Sequence, residues 1–228
     1  MAAILVANKR YEVALDEAER LQSEYDAYWN ALNAHDRDTV VTAVDDALAE
    51  NTPEATCVDA GIDPSIGGYV SCVVTFGHPD LVPERTVAMT PKGRPSLKQL
   101  PKTDMNNMYV AAMASTVLAA VREALAVAPA ADEIRVVVVR DERAGGDQRR
   151  NRGLCAIYTG VFRRRQMEGI SWRTIDTEAE LLCATGAELI RTEIARSVVP
   201  LGTDAQRRMA AVLRALSDPE VEEGDGID

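Results

Sequence analysis

Residues 104 to 128 constrain the fold of this 228-residue chain more than any other stretch. Met105, Tyr109, Met113, Val117, Val121 and Leu125 recur at four-residue steps, and alanine fills nearly every other face. Thr103 and Asp104 start the pattern and Pro129 stops it. Beyond Asp104 only Arg122 and Glu123 are charged, so the spacing predicts a helix buried on more than one side. Tyr109 to Ala128 is long enough to span a bilayer, but its alanine content and the Arg122-Glu123 pair argue against a transmembrane segment. Such a helix needs a sheet or other helices to cover it, and both of its flanks supply candidates.

Tyr69 to Phe76 and Arg85 to Met89 are β-branched, extended runs separated by Gly77-His78-Pro79-Asp80, which predicts a hairpin. Glu133 to Arg140 contains four consecutive valines and reads as a central strand covered on both faces; Leu154 to Phe162 reads as its neighbour. Helical spacing resumes at Thr177-x-x-Glu180, a capping box, with Leu181, Leu182, Leu189 and Ile190 as apolar residues and Gly186 as a break. A last helix is expected from Thr203 through Leu216, and residues 218–228 hold six acids and no base. At the other end, Leu15, Ala18, Leu21, Tyr25, Tyr28, Trp29 and Leu32 mark an amphipathic helix over 11–33. A shorter helix over 38–50 carries Val40, Val41, Val44, Ala47 and Leu48, and the short link Asn33–His35 makes the two a hairpin. Asn51 to Gly68 lacks periodicity and reads as a boundary. The expected fold is α+β: an N-terminal helical hairpin (1–52), then a core (53–216) with a mixed or antiparallel sheet in the order β-β-α-β-β and C-terminal helices, then a disordered acidic tail (217–228).

Charge is distributed unevenly along this framework. Residues 135–173 hold ten arginines against Asp141, Glu142, Asp147 and Glu168, a local charge of +6, so with a whole-chain charge of −11 the remainder must sum to −17 (−11 − 6). The candidate binding residues are Arg143, Arg149, Arg150, Arg152, Arg163, Arg164 and Arg165, facing either phosphates or an acidic protein. The plainest alternative is a solvated loop and a charged strand end. The window lacks the interleaved aromatics of a single-strand nucleic-acid platform, and the acidic remainder repels a long duplex. Bidentate arginine–carboxylate pairing with an acidic protein is therefore the favoured use, with nucleic acid as the alternative.

Catalytic signatures are fragmentary. His78-Pro79-Asp80 matches the J-domain tripeptide, yet here it follows a strand and a glycine instead of joining two helices. Pro79-Asp80 also matches the opening of the restriction-endonuclease core, but Glu84 is followed by Arg85 and Thr86, so the acid-x-Lys partner is missing. A divergent nuclease using Asp80 and Glu84 is the enzyme-class reading, and His78, Asp80, Glu84 and Arg85 form the candidate motif. Residues 169–196 superficially match a helix-turn-helix, but Glu188 and Glu193 offset Arg191 and Arg196 on its second helix. Cys57, Cys72, Cys155 and Cys183 lack Cys-x-x-Cys spacing and the only histidines are His35 and His78, so reduced thiols, no metal site and no cofactor are expected. The apolar run Ala2 to Ala7 is too short for a signal peptide, and a cytoplasmic location is expected. Four lysines against twenty-one arginines fit a high-GC genome, such as that of an actinobacterium or its phage.

The segments from His78 to Arg85, Thr90-Pro91-Lys92-Gly93-Arg94-Pro95, Lys102-Thr103-Asp104 leading to Asn107 and Tyr109, and Glu123 to Pro129 together resemble a family of uncharacterised actinobacterial proteins. The resemblance spans roughly residues 25 to 200. In that family a similar region often follows a small β-rich domain and a charged helical stretch, and this chain departs from the long form by lacking that β domain. The resemblance implies no activity; it marks His78 to Thr103 as a region where function is expected. The sequence thus predicts a non-enzymatic, cytoplasmic interaction module with an arginine-rich face for an acidic protein. It also predicts a homo-oligomer, because the stripe Tyr25, Tyr28, Trp29 and Leu32 needs a cover.

Overall fold

The computed structural model describes residues 2–142 and 153–202, with side chains from Asn8 onward. The expected helix is α3 (Lys102–Val127), whose Tyr109, Val110, Met113, Ala114, Val117, Leu118, Val121 and Ala124 are buried. It lies over a six-stranded sheet of order β1-β2-β5-β6-β7-β8, formed by β1 (Ala55–Asp63), β2 (Gly67–Thr75), β5 (Ala131–Asp141), β6 (Leu154–Arg163), β7 (Thr185–Arg191) and β8 (Val198–Val199). Only β2 and β5 are parallel neighbours, joined by the crossover that contains α3; every other pair is antiparallel. The molecule is an α+β fold with a mixed sheet.

Strand alternation decides which residues meet α3. The register of β2 against β5 and of β5 against β6 puts Val70, Cys72, Val74, Ile134, Val136, Val138, Tyr158 and Phe162 on one face, all buried in the main core. On the opposite face Leu201 packs on Ala156 and Val137 in a second, small cluster. α3 is by length and composition able to cross a membrane, yet here it is the central core helix. The core also includes α2 (Arg37–Asn51) through Val40, Val44 and Leu48, and so crosses the 52/53 junction. Asp36 caps α2 by accepting from the Thr39 amide (3.0 Å) and hydroxyl (2.6 Å), both of which hold its carboxyl below its ordinary range. α1 (Ala2–Asn33) begins earlier than its spacing predicts and meets the body only at its C-terminal end, where Leu32 is buried.

Three expectations need correction. Asn51 to Gly68 contains β1, a strand of small residues with a bulge between Cys57 and Asp59. Its buried face is only Ala55, Cys57 and Ala60, too weak a period to read. The strand at Tyr69 does not pair with Arg85–Met89. It pairs with β1 and β5, while β3 (Arg85–Met89) pairs with β4 (Pro95–Gln99) in a separate two-stranded ribbon. Finally, the helical spacing after Thr177 lasts only through α5 (Thr177–Cys183), capped by Asp176 through the Ala179 amide instead of by a Thr177 box. Residues 185–191 are strand β7, so the second helix of a helix-turn-helix does not exist there. The expected helix at 203–216 and the acidic tail lie outside the described residues.

Candidate interaction surface

The described arginines of the window disperse in three dimensions. Arg140 is buried at the end of β5, where its Nε and Nη2 donate to Glu142 Oε1 (2.9 and 2.6 Å) and its Nη1 to Tyr109 Oη (3.4 Å). Burial works against the Arg140 charge, but the hydrogen bonds to Tyr109 and Glu142 outweigh it and the guanidinium pKa is raised. Tyr109 in turn donates to Gly77 O (2.8 Å), and burial raises its own pKa. Arg135, on the opposite face of the sheet, stacks on Tyr69 at 4.0 Å and pairs with Glu133 at 2.8 Å. Arg164 forms a short helix α4 (Arg164–Glu168) with its neighbours and donates to Leu125 O (3.1 Å), Ala128 O (2.8 Å) and Ala131 O (2.8 Å), satisfying the carbonyl end of α3.

Arg163 and Arg165 are exposed beside a shallow cleft of about 270 Å³ that also takes in Asp132, Ser65 and Ile66. Arg143, Arg149, Arg150 and Arg152 lie outside the described residues. Leu154, where β6 begins, is nine residues and therefore about 30 Å along the strand from Arg163. Among the described residues the window is thus not one patch: Arg140 and Arg164 hold the fold together, Arg135 is stacked on a tyrosine, and Arg163 and Arg165 line the cleft.

The motif residues separate as well. Pro79–Leu81 form a 3-10 turn in which His78 Nδ1 lies 3.1 Å from Asp80 Oδ2, outside hydrogen-bonding geometry. Glu84 instead lines a cleft of about 240 Å³ with Gln99, Leu100, Lys102, Met105, Asn106 and Ser197, while Arg85 opens β3 opposite Gln99. Among the described residues no three His, Cys, Asp or Glu side chains are placed to hold a metal ion. Polar contacts behind the cleft are latches between elements: Asn106 donates to Ala195 O (2.7 Å) and Ser197 Oγ (3.0 Å), and Arg191 donates to Asn107 Oδ1 (2.6 Å) and pairs with Glu178. Cys57 and Cys72 face each other across β1 and β2, and their thiol hydrogen bond lowers Cys57 and raises Cys72.

The surface that stands out is the β3–β4 ribbon, which lies inside the region His78 to Thr103 that the family resemblance marks and which opens with the motif residue Arg85. Between Arg85 and Thr103 there are five bases, Arg85, Lys92, Arg94, Lys98 and Lys102, and no acid. Three of the four lysines in the chain are here. The turn at its tip is built by Thr90, whose hydroxyl bonds Arg94 O (3.0 Å) and Arg94 N (3.1 Å), and by Gly93, whose φ of 72° disfavours any side chain. Register places Val87 opposite Leu97 and Met89 opposite Pro95 on one face, with Val87 68% and Leu97 66% exposed. Thr86, Ala88, Ser96 and Lys98 form the other. At its root the ribbon is tied by Leu100 N to Glu84 O (2.8 Å) and adjoins the turn 192–197, where Ile194 is 92% exposed. The signal was present in the sequence as an acid-free stretch; the arginine count elsewhere masked it. No family model matches the chain, and comparisons with curated proteins and with solved structures find no significant match.

Proposed function

We propose that the protein is a non-enzymatic interaction module whose recognition element is the β3–β4 ribbon, and that the ribbon docks an acidic protein segment. The observation that carries this reading is the pairing of an exposed apolar face, Val87, Met89 and Leu97, with a rim of five bases uninterrupted by an acid. Apolar centres with charged rims are the anatomy of protein interfaces, and a two-stranded ribbon leaves edges to which an extended segment can add as a strand. The ribbon also resolves the charge problem. Its five residue pairs carry the tip about 17 Å outward, roughly two Debye lengths at physiological salt, so the acidic body screens it little.

A second reading has its own observation. A basic two-stranded ribbon fits a nucleic-acid major groove, and five bases without an acid suit phosphates. One titration of the full chain separates the two. The probes are an extended peptide of alternating Glu and Leu, duplex DNA and single-stranded RNA, each at low and at physiological salt. The protein reading predicts that the peptide binds, and that both Val87→Ser/Leu97→Ser and Lys92→Glu/Arg94→Glu/Lys98→Glu weaken it. Tight nucleic-acid binding with a steep salt slope, lost only in the charge variant, would favour phosphates instead. Neither peptide nor nucleic-acid binding would remove the ribbon from consideration.

A further inference from the structure

α1 has 32 residues, and every residue from 8 to 30 is exposed, a free-standing length of about 34 Å. Such a helix is marginal in water without a partner. Val13, Leu15 and Trp29 are exposed apolar residues beside one continuous line of others. Tyr11, Ala14, Ala18, Leu21, Tyr25, Tyr28 and Leu32 recur at alternating steps of three and four, an uninterrupted heptad seam. Tyr11 and Tyr25 are each 69% exposed on this seam, and its last member, Leu32, is buried in the body.

We propose that this seam pairs with the same seam of a second copy of the chain, antiparallel, with Ala14 opposite Ala18 of the other copy at the centre. This proposal is independent of the role of the β3–β4 ribbon. Three observations select the arrangement. The body lies on the seam side at Leu32, so a parallel pair would bring two bodies to the same place, whereas an antiparallel pair puts them at opposite ends. The chosen register sets residue 2 of one copy opposite residue 30 of the other, so the overlap of about 43 Å ends where the body begins to cover α1. Sliding one heptad towards the body would drive the other copy's N-terminus into the α1–α2 turn, and sliding one heptad away would leave Tyr25 and Tyr28 uncovered.

Charge favours the same register. At the seam's flanks it brings Arg10 opposite Glu24 of the other copy, twice by symmetry, and Leu15 opposite Leu15. Glu17 meets Glu17 once at the axis. The register one heptad towards the body would instead place Glu17 opposite Glu24 twice, with no compensating pair. In the core, Tyr11 meets Leu21, and the small Ala14–Ala18 layers let the helices approach at the centre.

Light scattering of the full chain is expected to show a dimer at high micromolar concentration. Arg10→Glu should weaken it about tenfold by turning two attractive pairs repulsive, and Arg10→Glu/Glu24→Arg should restore it when Arg20→Glu is added to keep the pair that Arg20 makes with residue 24 in α1. For direction, a tagged Ala14→Cys chain is mixed with an untagged Ala18→Cys chain, both carrying Cys183→Ser because Cys183 is exposed. Under mild oxidation by a disulfide such as oxidised glutathione, thiol–disulfide exchange should yield mainly the mixed disulfide between tagged and untagged chains, with two equivalents of the small thiol released. A monomer at every concentration, a charge swap that fails to rescue, or dominant Ala18→Cys self-disulfides (the parallel outcome) would each overturn the proposal. Circular dichroism of the charge variants shows whether α1 keeps its helicity, so a lost dimer is not mistaken for a lost helix.

Discussion

α1 and α3 are both long helices with an apolar stripe, and the molecule treats them in opposite ways. α3 puts its stripe against β2 and β5, and ten of its residues are buried. α1 keeps residues 8–30 in solvent and buries only its end. The difference lies in what surrounds each helix in the chain. α3 is the crossover between two parallel strands, so its connections hold it against the sheet on one side while α2 and α5 close the others. α1 joins the body through the three-residue turn Ala34–Asp36, in which His35 takes a left-handed φ of 55°. Apolar periodicity states that a face will be covered; connectivity states whether the cover comes from the same chain.

The comparison is broken or sharpened first at the buried ion pair beneath the α3 N-terminal half. Arg140→Ala leaves Glu142 buried without its partner and Tyr109 without its donor, and should cost about 3 to 5 kcal/mol. Urea unfolding measures it, and a loss below about 1 kcal/mol would mean that the pair is solvated in solution. Met113→Ala, in the middle of α3, should cost about 2 to 5 kcal/mol, whereas Leu21→Ala in α1 should leave the unfolding of the body, measured in the full chain at a concentration where it is monomeric, within about 0.5 kcal/mol. Equal costs for the two would show that α1 is packed on its own body.

The smallest effect is a pH dependence at the α2 cap. Thr39 holds the Asp36 carboxyl below its ordinary value of 3.8, so the cap's contribution is complete above that pH and fades as pH falls through the lowered folded value. Comparing urea midpoints of the wild type and Asp36→Asn from neutral to strongly acid pH tests the sign. The wild type should lose its advantage only on the acid side, and an advantage that grew with acid would contradict the hydrogen-bonded carboxylate.

Much of the secondary structure was legible because it is strongly periodic. α3, β5 and β6 appear within two or three residues of where the spacing puts them. β1 was hidden because an edge strand of alanine, cysteine and glycine buries one weak face, and its bulge disrupts the alternation. β7 was hidden by a coincidence of spacing: Leu181, Leu182, Leu189 and Ile190 fit two turns of helix, but Gly186, with a φ of 63°, turns the chain between them. The pairing of β2 with β5 is non-local and leaves no trace in local pattern.

The described arginines of the window separate for a related reason. Arginines an odd number of residues apart in a strand point to opposite faces, so Arg135 and Arg140 do not share a surface, and β6 carries its two ends about 30 Å apart. The β3–β4 ribbon keeps its bases together because both of its strands are short and solvated.

The central claim is that the body is complete in itself while α1 is completed by a second chain. Amide hydrogen exchange across a dilution series of the full chain tests it most directly, since exchange reports opening residue by residue. The account predicts that α3 amides stay protected at every concentration. It predicts that amides of residues 8–30 are protected at high micromolar protein and become fast on dilution below the dimer's dissociation constant. Protection of α1 that does not change with concentration, or its absence throughout, would contradict the account.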